Sequence, residues 1–190
     1  PKAHNKIIKL IDSDTHLILN PDAFLAPDSL IEALDLFLKE ENVALIGFRG
    51  ENEKKQPLYL AKRYPSLLVL LARGFPFLGL GWILREHLNF YEYRDLALNA
   101  TNEVLLVSGC ALLANTKILA QIGGFDERFF LYFEDFDLSI RAAKYGKILA
   151  SPAAKVIHLG GNTGSSPRRL FYFLSSAKKF FSLHGLRFLC

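Results

Sequence analysis

Three short segments hold side chains whose types and spacing suit chemistry. Asn20-Pro21-Asp22 follows the apolar run Leu17-Ile18-Leu19. A carboxylate there can hold a divalent cation, and that cation can neutralise a diphosphate. Asn-Pro is equally a turn sequence, so the same residues also read as a plain strand exit. Asp12-Ser13-Asp14 has two carboxylates but precedes the apolar run, which puts it at the wrong end of a sheet. Glu134-Asp135-Phe136-Asp137 stands at a helix start, after Phe129-Phe130-Leu131-Tyr132-Phe133. Capping alone accounts for acids at a helix start. The aromatic run argues that at least one of them is buried, and a buried carboxylate is costly unless paired or functional. Asp137 has a partner four residues on, Arg141. Glu134 and Asp135 remain as candidate acid–base groups. His158 ends the apolar run from Lys155 and is followed by Gly160-Gly161. It reads as a structural histidine or as a metal ligand beside a Gly-rich loop.

These groups need elements to position them. A short helix is expected over Lys6–Ile11 with Asn5 as its N-cap, and a strand over His16–Leu19. A helix begins after Pro27, with Leu30, Ile31, Leu34, Phe37 and Leu38 along one face. Val43–Phe48 is a second strand, and Gly50–Gln56 a charged loop. The apolar segment 67–84 is interrupted by Arg73 and Pro76. A membrane span needs about 20 mostly apolar residues without such breaks, so a buried or interfacial helix pair is the better reading. Core strands are expected at Val104–Val107 and Ala111–Leu113, flanking Ser108-Gly109-Cys110, then a short helix from Thr116 to Ile122. A helix over Phe136–Tyr145 precedes two strands, Lys147–Ala150 and Lys155–His158, split by Pro152. A basic, aromatic helix occupies 168–187. Strands alternate with helices, which predicts an α/β class with a mainly parallel sheet. In such sheets ligands sit at the C-terminal strand ends, and the three segments fall at predicted strand ends or helix starts.

The chain has 190 residues, 51% hydrophobic and 22% charged, enough for a single cored domain over 1–190. That composition excludes a disordered tail, a collagen-like repeat and a disulfide-rich mini-protein. The net charge of +4 is mild and its basic residues are mixed with acids, so nucleic acid is not an expected partner. Cys110 and Cys190 imply no disulfide framework. The chain has no Met and opens on Pro1-Lys2-Ala3-His4-Asn5, with no signal-peptide pattern.

Taken together, the segments resemble a known family. Leu17–Leu30, with Asn20-Pro21-Asp22, resembles the strand, metal motif and following helix of family 2 glycosyltransferases with the GT-A fold, in their bacterial rhamnosyltransferase-like branch. Ser108-Gly109-Cys110 and the block Gly123–Leu138 resemble that branch's most distinctive stretch. Val156-Ile157-His158 with Gly160-Gly161 resembles its metal-histidine segment. The resemblance implies a GT-A-type, Rossmann-like mixed sheet flanked by helices. It also implies that the family's first, nucleotide-binding strands lie before Pro1, so that the chain is N-terminally incomplete as a catalytic fold.

The activity the resemblance implies is sugar transfer, rhamnose as first guess, from a nucleotide diphosphate sugar to a hydroxyl, with inversion. The acceptor would be a cell-envelope glycan or lipid-linked molecule. By the same resemblance Asp22 binds Mg²⁺ or Mn²⁺, Asn20 helps hold the nucleotide, and His158 is a further metal or phosphate contact. This motif carries one carboxylate where the standard form has two. Asp135 would be the ionised general base, with Glu134 orienting it or the acceptor. Ser108, Gly109 and Asp126 would shape the acceptor side. A cytoplasmic place is expected, with segments 67–84 and 168–187 able to touch the inner membrane surface. The competing reading is a non-catalytic sugar- or membrane-binding remnant of such an enzyme.

Overall fold

The computed structural model describes residues 1–75, 79–96, 99–159 and 166–186. Gly160, Gly161, Pro76 and the end of the 168–187 segment lie outside the described residues. In chain order the elements begin with α1 (Lys2–Ile8), β1 (Thr15–Leu19), β2 (Ala23–Leu25), α2 (Ser29–Lys39), β3 (Val43–Glu51), β4 (Pro57–Leu58) and β5 (Ala61–Lys62). Next come α3 (Leu67–Gly74), α4 (Leu80–Ile83), α5 (Arg85–Tyr91), β6 (Asn102–Glu103), β7 (Leu106–Val107) and β8 (Ala111–Asn115). The last are α6 (Thr116–Gln121), α7 (Glu134–Ala142), β9 (Lys147–His158) and α8 (Pro167–His184).

The main sheet runs β1-β8-β3-β9-β2, with β4 paired to β3 and β6 to β9. β3 is central and buried on both faces, as its unbroken run Val43-Ala44-Leu45-Ile46 requires. Alternate residues sort to opposite sides. Leu45, Leu112 and Ile148 join one core cluster with Phe125 and Leu138. Ile46, Leu113 and Leu149 join another under α2. A third cluster, Tyr64, Phe129, Phe133, Ala177 and Phe180, seats α8 against the loop before α7.

The α/β mixed sheet is as expected, but its pairing is not mainly parallel. Among the described pairings in this sheet only β3–β9 is parallel. β1–β8, β3–β8, β2–β9, β3–β4 and β6–β9 are antiparallel. Hydrophobic pattern marks a strand but not its direction. Helices α3, α4 and α5 pack on one another, and α3 on α8, in place of the crossovers that alternation suggests. β9 is one strand and not two. Its register shifts opposite Phe48 and Arg49, so Pro152 sits beside a bulge, where a missing donor costs least. On α2 the buried positions are Ser29 and Ala33. Leu34 and Phe37 pack inward, whereas Leu30, Ile31 and Leu38 are exposed. The small residues let the helix approach β9 closely enough for the Lys155 N–H to donate to Ser29 Oγ at 3.0 Å.

The apolar segment 67–84 also divides. Val69 and Ala72 of α3 are buried, while Trp82 and Ile83 of α4 stand in solvent. Among the described residues no helix is long and apolar enough to cross a membrane.

Candidate active site

The C-terminal end of β1, the start of β8 and the C-terminal end of β9 meet at one edge of the sheet. Leu19 faces Ala111 in the β1–β8 ladder, and the Asn20 N–H donates to Cys110 O at 2.9 Å. Asn20-Pro21-Asp22 is a tight turn closed by the Ala23 N–H on Asn20 O at 3.1 Å. Pro21 presets the backbone at the second position of that turn. The motif is thus a turn, the plainer of its two sequence readings, and it carries Asp22 at its third position. β2 then pairs Ala23 with His158. That register sets Asp22 beside the end of β9, where its carbonyl accepts the Leu159 N–H at 3.0 Å. Asp22 Oδ1 lies 3.3 Å from His158 Nε2. Two ligands of one Mn²⁺ or Mg²⁺ ion stand about 3 Å apart when adjacent at bonds near 2.1 Å, so the pair suits one coordination sphere. Among the described residues no third His, Cys, Asp or Glu joins them. The pair would supply two ligands to such an ion, with the rest of the sphere left to other oxygen donors. A carboxylate with an imidazole fits Mn²⁺ better than Mg²⁺.

The second group forms where α7 meets the β7–β8 connection. Tyr132 and Phe133 both take left-handed backbone conformations, φ 68° and 66°. Such residues are strained, and they swing the chain so that α7 starts at Glu134. Asp135 caps its own helix through the Phe136 N–H at 2.9 Å and accepts the Gly109 N–H on Oδ2, also at 2.9 Å. A Cβ on residue 109 would stand 3.4 Å from Asp135 Cβ, an ordinary packing contact, so the Asp135 side chain lies directly against this backbone. The Ser139 hydroxyl donates to Asp135 O at 2.8 Å and accepts the Val107 N–H, locking α7 to β7.

The two carboxyls differ. Burial raises Asp135 above the ordinary carboxylate range, against the pull of the Gly109 and Phe136 amides. Burial, and then the neighbouring Asp135 charge, pushes Glu134 up to about 7. Glu134 Oε2 is buried with no hydrogen-bond partner. The Gly109 and Phe136 amides oppose the rise at Asp135 without cancelling it, and shared burial raises both neighbouring carboxyls. Burial, and not the helix start, is the largest influence on Asp135. The same apolar setting, with Asp22 and Asp135 nearby, pushes the Cys110 thiol up to about 11.

A cleft of about 620 Å³ joins the groups; Asn20, Ser108, Gly109, Glu134, Asp135 and His158 all line it. Asp22 is not among the lining residues; it is half-exposed beside His158, which is. Asp126 is not among the lining residues. Its carboxylate is held by the Arg128 guanidinium, which keeps it below the usual carboxylate range. It fixes the turn after Phe125, which does line the cleft. Asn5 is not an N-cap but lies inside α1, where it brackets the Phe125 backbone, accepting from N and donating to O at 2.8 Å each. Gly124, at φ +69°, gives the turn that Asn5 needs. Lys62, Arg73, Tyr91 and Glu92 also line the cleft. Arg73 lies in the apolar segment 67–84, and no local spacing marks Lys62, Tyr91 or Glu92.

The fold is that of GT-A glycosyltransferases. The crystal structure of GalNAc-T7 with UDP, GalNAc and Mn2+ is similar at a TM-score of 0.58 and 14% identity, covering 98% of this chain and 41% of that one. In sequence the chain is 31% identical over 157 residues to the N-acetylglucosaminyl-diphospho-decaprenol L-rhamnosyltransferase of Mycobacterium tuberculosis, in both strain CDC 1551 / Oshkosh and strain ATCC 25618 / H37Rv. The match covers 81% of this chain, which spans about half the length of those curated relatives. No family profile matches the chain. The resemblance to rhamnosyltransferase-like glycosyltransferases is thereby borne out.

Proposed function

We propose that the protein transfers a sugar, rhamnose in the first instance, from a nucleotide diphosphate sugar to a hydroxyl of a lipid-linked or cell-envelope glycan, with inversion. The observation that carries this reading is the single cleft lined by Asn20, His158 and the Gly109-bound Asp135. Asp22 and His158 would hold Mn²⁺ or Mg²⁺, which when bound stabilises charge on the departing diphosphate. Asn20 orients the nucleotide beside them. The acceptor oxygen attacks the anomeric carbon opposite the diphosphate, the carbon–oxygen bond to phosphate breaks, and the hydroxyl proton passes to Asp135. Ionised Asp135 is the general base. Glu134, holding its own proton, orients the acceptor and keeps a second negative charge away from the base. Ser108 and Gly109 shape the acceptor wall, and Asp126 does so at one remove through the Phe125 turn.

The mycobacterial relative's name, with its diphospho-decaprenol, favours a lipid-linked acceptor. We place the reaction at the cytoplasmic face of the membrane. Exposed Trp82, Ile83 and Phe171, with the basic residues Arg168 and Arg169 of α8, suit an interfacial contact. Titration calorimetry of the full chain with dTDP-rhamnose and UDP-sugars tests the donor half. Mn²⁺-dependent binding is expected. No binding of any nucleotide sugar, with or without metal, would sink the enzyme reading in favour of a non-catalytic remnant.

A further inference from the structure

The same cleft is lined by a second polar group that the transfer step does not use. Lys62 on β5 is buried, and its ammonium donates to Glu92 Oε1 at 3.3 Å. Arg73 on α3 reaches the same oxygen at 3.4 Å. Arg94 donates to Glu92 Oε2 from Nε at 2.9 Å and from Nη2 at 2.6 Å. Tyrosine rings brace the cations: Lys62 and Arg73 lie over Tyr91, and Arg94 over Tyr59. Lys62, Arg73, Glu92 and both tyrosines line the cleft that holds Glu134 and Asp135.

A buried lysine needs one carboxylate. Here one carboxylate faces three cations, and among the described residues each of the three has Glu92 as its ion-pair partner. The cluster therefore keeps a surplus of two positive charges, three less one. Burial, and next the Arg73 charge, lowers the Lys62 ammonium to about 8. Glu92 alone does not offset that loss, as an added anion would. A cationic surplus on a low-dielectric cleft wall draws anions, and the forked guanidinium groups match phosphate oxygens.

We infer that Lys62 and Arg73, which line the cleft, form a phosphate subsite for the acceptor with Arg94 neutralising Glu92 beside them, holding a phosphate or diphosphate joined to the sugar whose hydroxyl meets Asp135. The role as acceptor subsite rests on the transferase reading above; the anion site itself does not. The donor's own diphosphate belongs at Asp22 and His158, so the two phosphate groups occupy different parts of one cleft.

The test is calorimetry on the full chain in EDTA, where the donor site has no metal to hold a diphosphate. Inorganic pyrophosphate is titrated into the wild type and into Arg73→Gln/Arg94→Gln. Both side chains are 45% exposed, so the fold should tolerate their loss; if the double variant does not fold, Arg73→Gln alone carries the test. We expect pyrophosphate affinity at least tenfold weaker in the variant, and wild-type affinity that falls steeply with added salt. Farnesyl diphosphate separates the sources. Tighter binding than pyrophosphate assigns the subsite to a lipid-linked diphosphate, and equal binding to a water-soluble phosphate ester. Equal pyrophosphate affinity in wild type and variant would overturn the subsite. So would a variant whose Mn²⁺-dependent nucleotide affinity falls by the same factor, since the cluster would then serve the donor. If the wild type binds pyrophosphate in EDTA but no nucleotide with Mn²⁺, the transferase reading fails and the acceptor role with it.

Discussion

Glu134→Gln should make the protein more stable, and more so at higher pH. Glu134 is raised from 4.5 to about 7 in the folded protein by burial and by Asp135. Between those values the unfolded chain has released a proton that the folded one keeps. Stability therefore falls as pH rises through this window. With about 1.4 kcal/mol per tenfold step, the penalty is roughly 1 kcal/mol at pH 5 and roughly 3 kcal/mol at pH 8. Glutamine carries no charge at either pH and escapes it. Its amide adds a buried donor beside the site of the unpartnered Oε2, which costs a constant amount at both pH values. The readout is thus a difference of differences. Urea unfolding of both proteins at pH 5 and pH 8 should show the variant gaining about 2 kcal/mol relative to wild type between the two. Sugar transfer by the variant should fall at the same time, as expected when a site is held at the expense of stability. Parallel stability curves for the two proteins would refute the reasoning, because Glu134 would then ionise in the fold as it does in the unfolded chain.

Three further outcomes follow from the same geometry. Activity, read as kcat/KM against pH, should fall on the acid side through the raised values of the Glu134–Asp135 pair, since the base must be deprotonated; a flat profile from pH 5 to 8 would contradict it. Asp22→Asn and His158→Ala should each weaken Mn²⁺-dependent nucleotide binding at least tenfold while leaving binding in EDTA alike, and a variant with full metal-dependent affinity would remove its residue from the metal site. Asp137→Ala should cost about 3–5 kcal/mol in urea unfolding, because the buried carboxylate holds Arg141 at 2.7 Å and His184 at 2.9 Å and its loss strands a cation. A change under about 1 kcal/mol there would show that α7 does not depend on this network.

Local sequence marked the chemistry better than the architecture. Asn20, Ser108, Glu134, Asp135 and His158 were each visible as a polar group at a strand end or helix start. The structure gathers them in one cleft although Asn20 and His158 are far apart in the chain. The Asp137–Arg141 pair was legible because a helix brings i and i+4 together. Strand direction was not, since Ala111–Asn115 has the same apolar pattern whichever way it enters the sheet. Asn5 shows a different limit. Its type suits an N-cap, but its amide is spent on the Phe125 backbone, a contact between residues 120 apart. The Lys62–Glu92 cluster drew no notice for the same reason: its cations lie on β5, on α3 and beyond α5, and only the packing of those elements joins them. Capping at Asp135 is a local signal, whereas its burial is not: the left-handed turn of Tyr132 and Phe133 starts α7 there, and the Gly109 N–H packs onto it.

In the proposed reaction Asp135 removes the acceptor proton during sugar transfer. The direct measurement is transfer from dTDP-rhamnose to a prenyl-diphosphate-linked N-acetylglucosamine, with Mn²⁺, by the wild type and by Asp135→Asn. Asparagine keeps the shape and can still accept the Gly109 N–H, so donor affinity should stay within about twofold while turnover falls by about 10²–10⁴, the usual worth of a general base. Turnover in Asp135→Asn equal to wild type, with donor bound, would contradict the account.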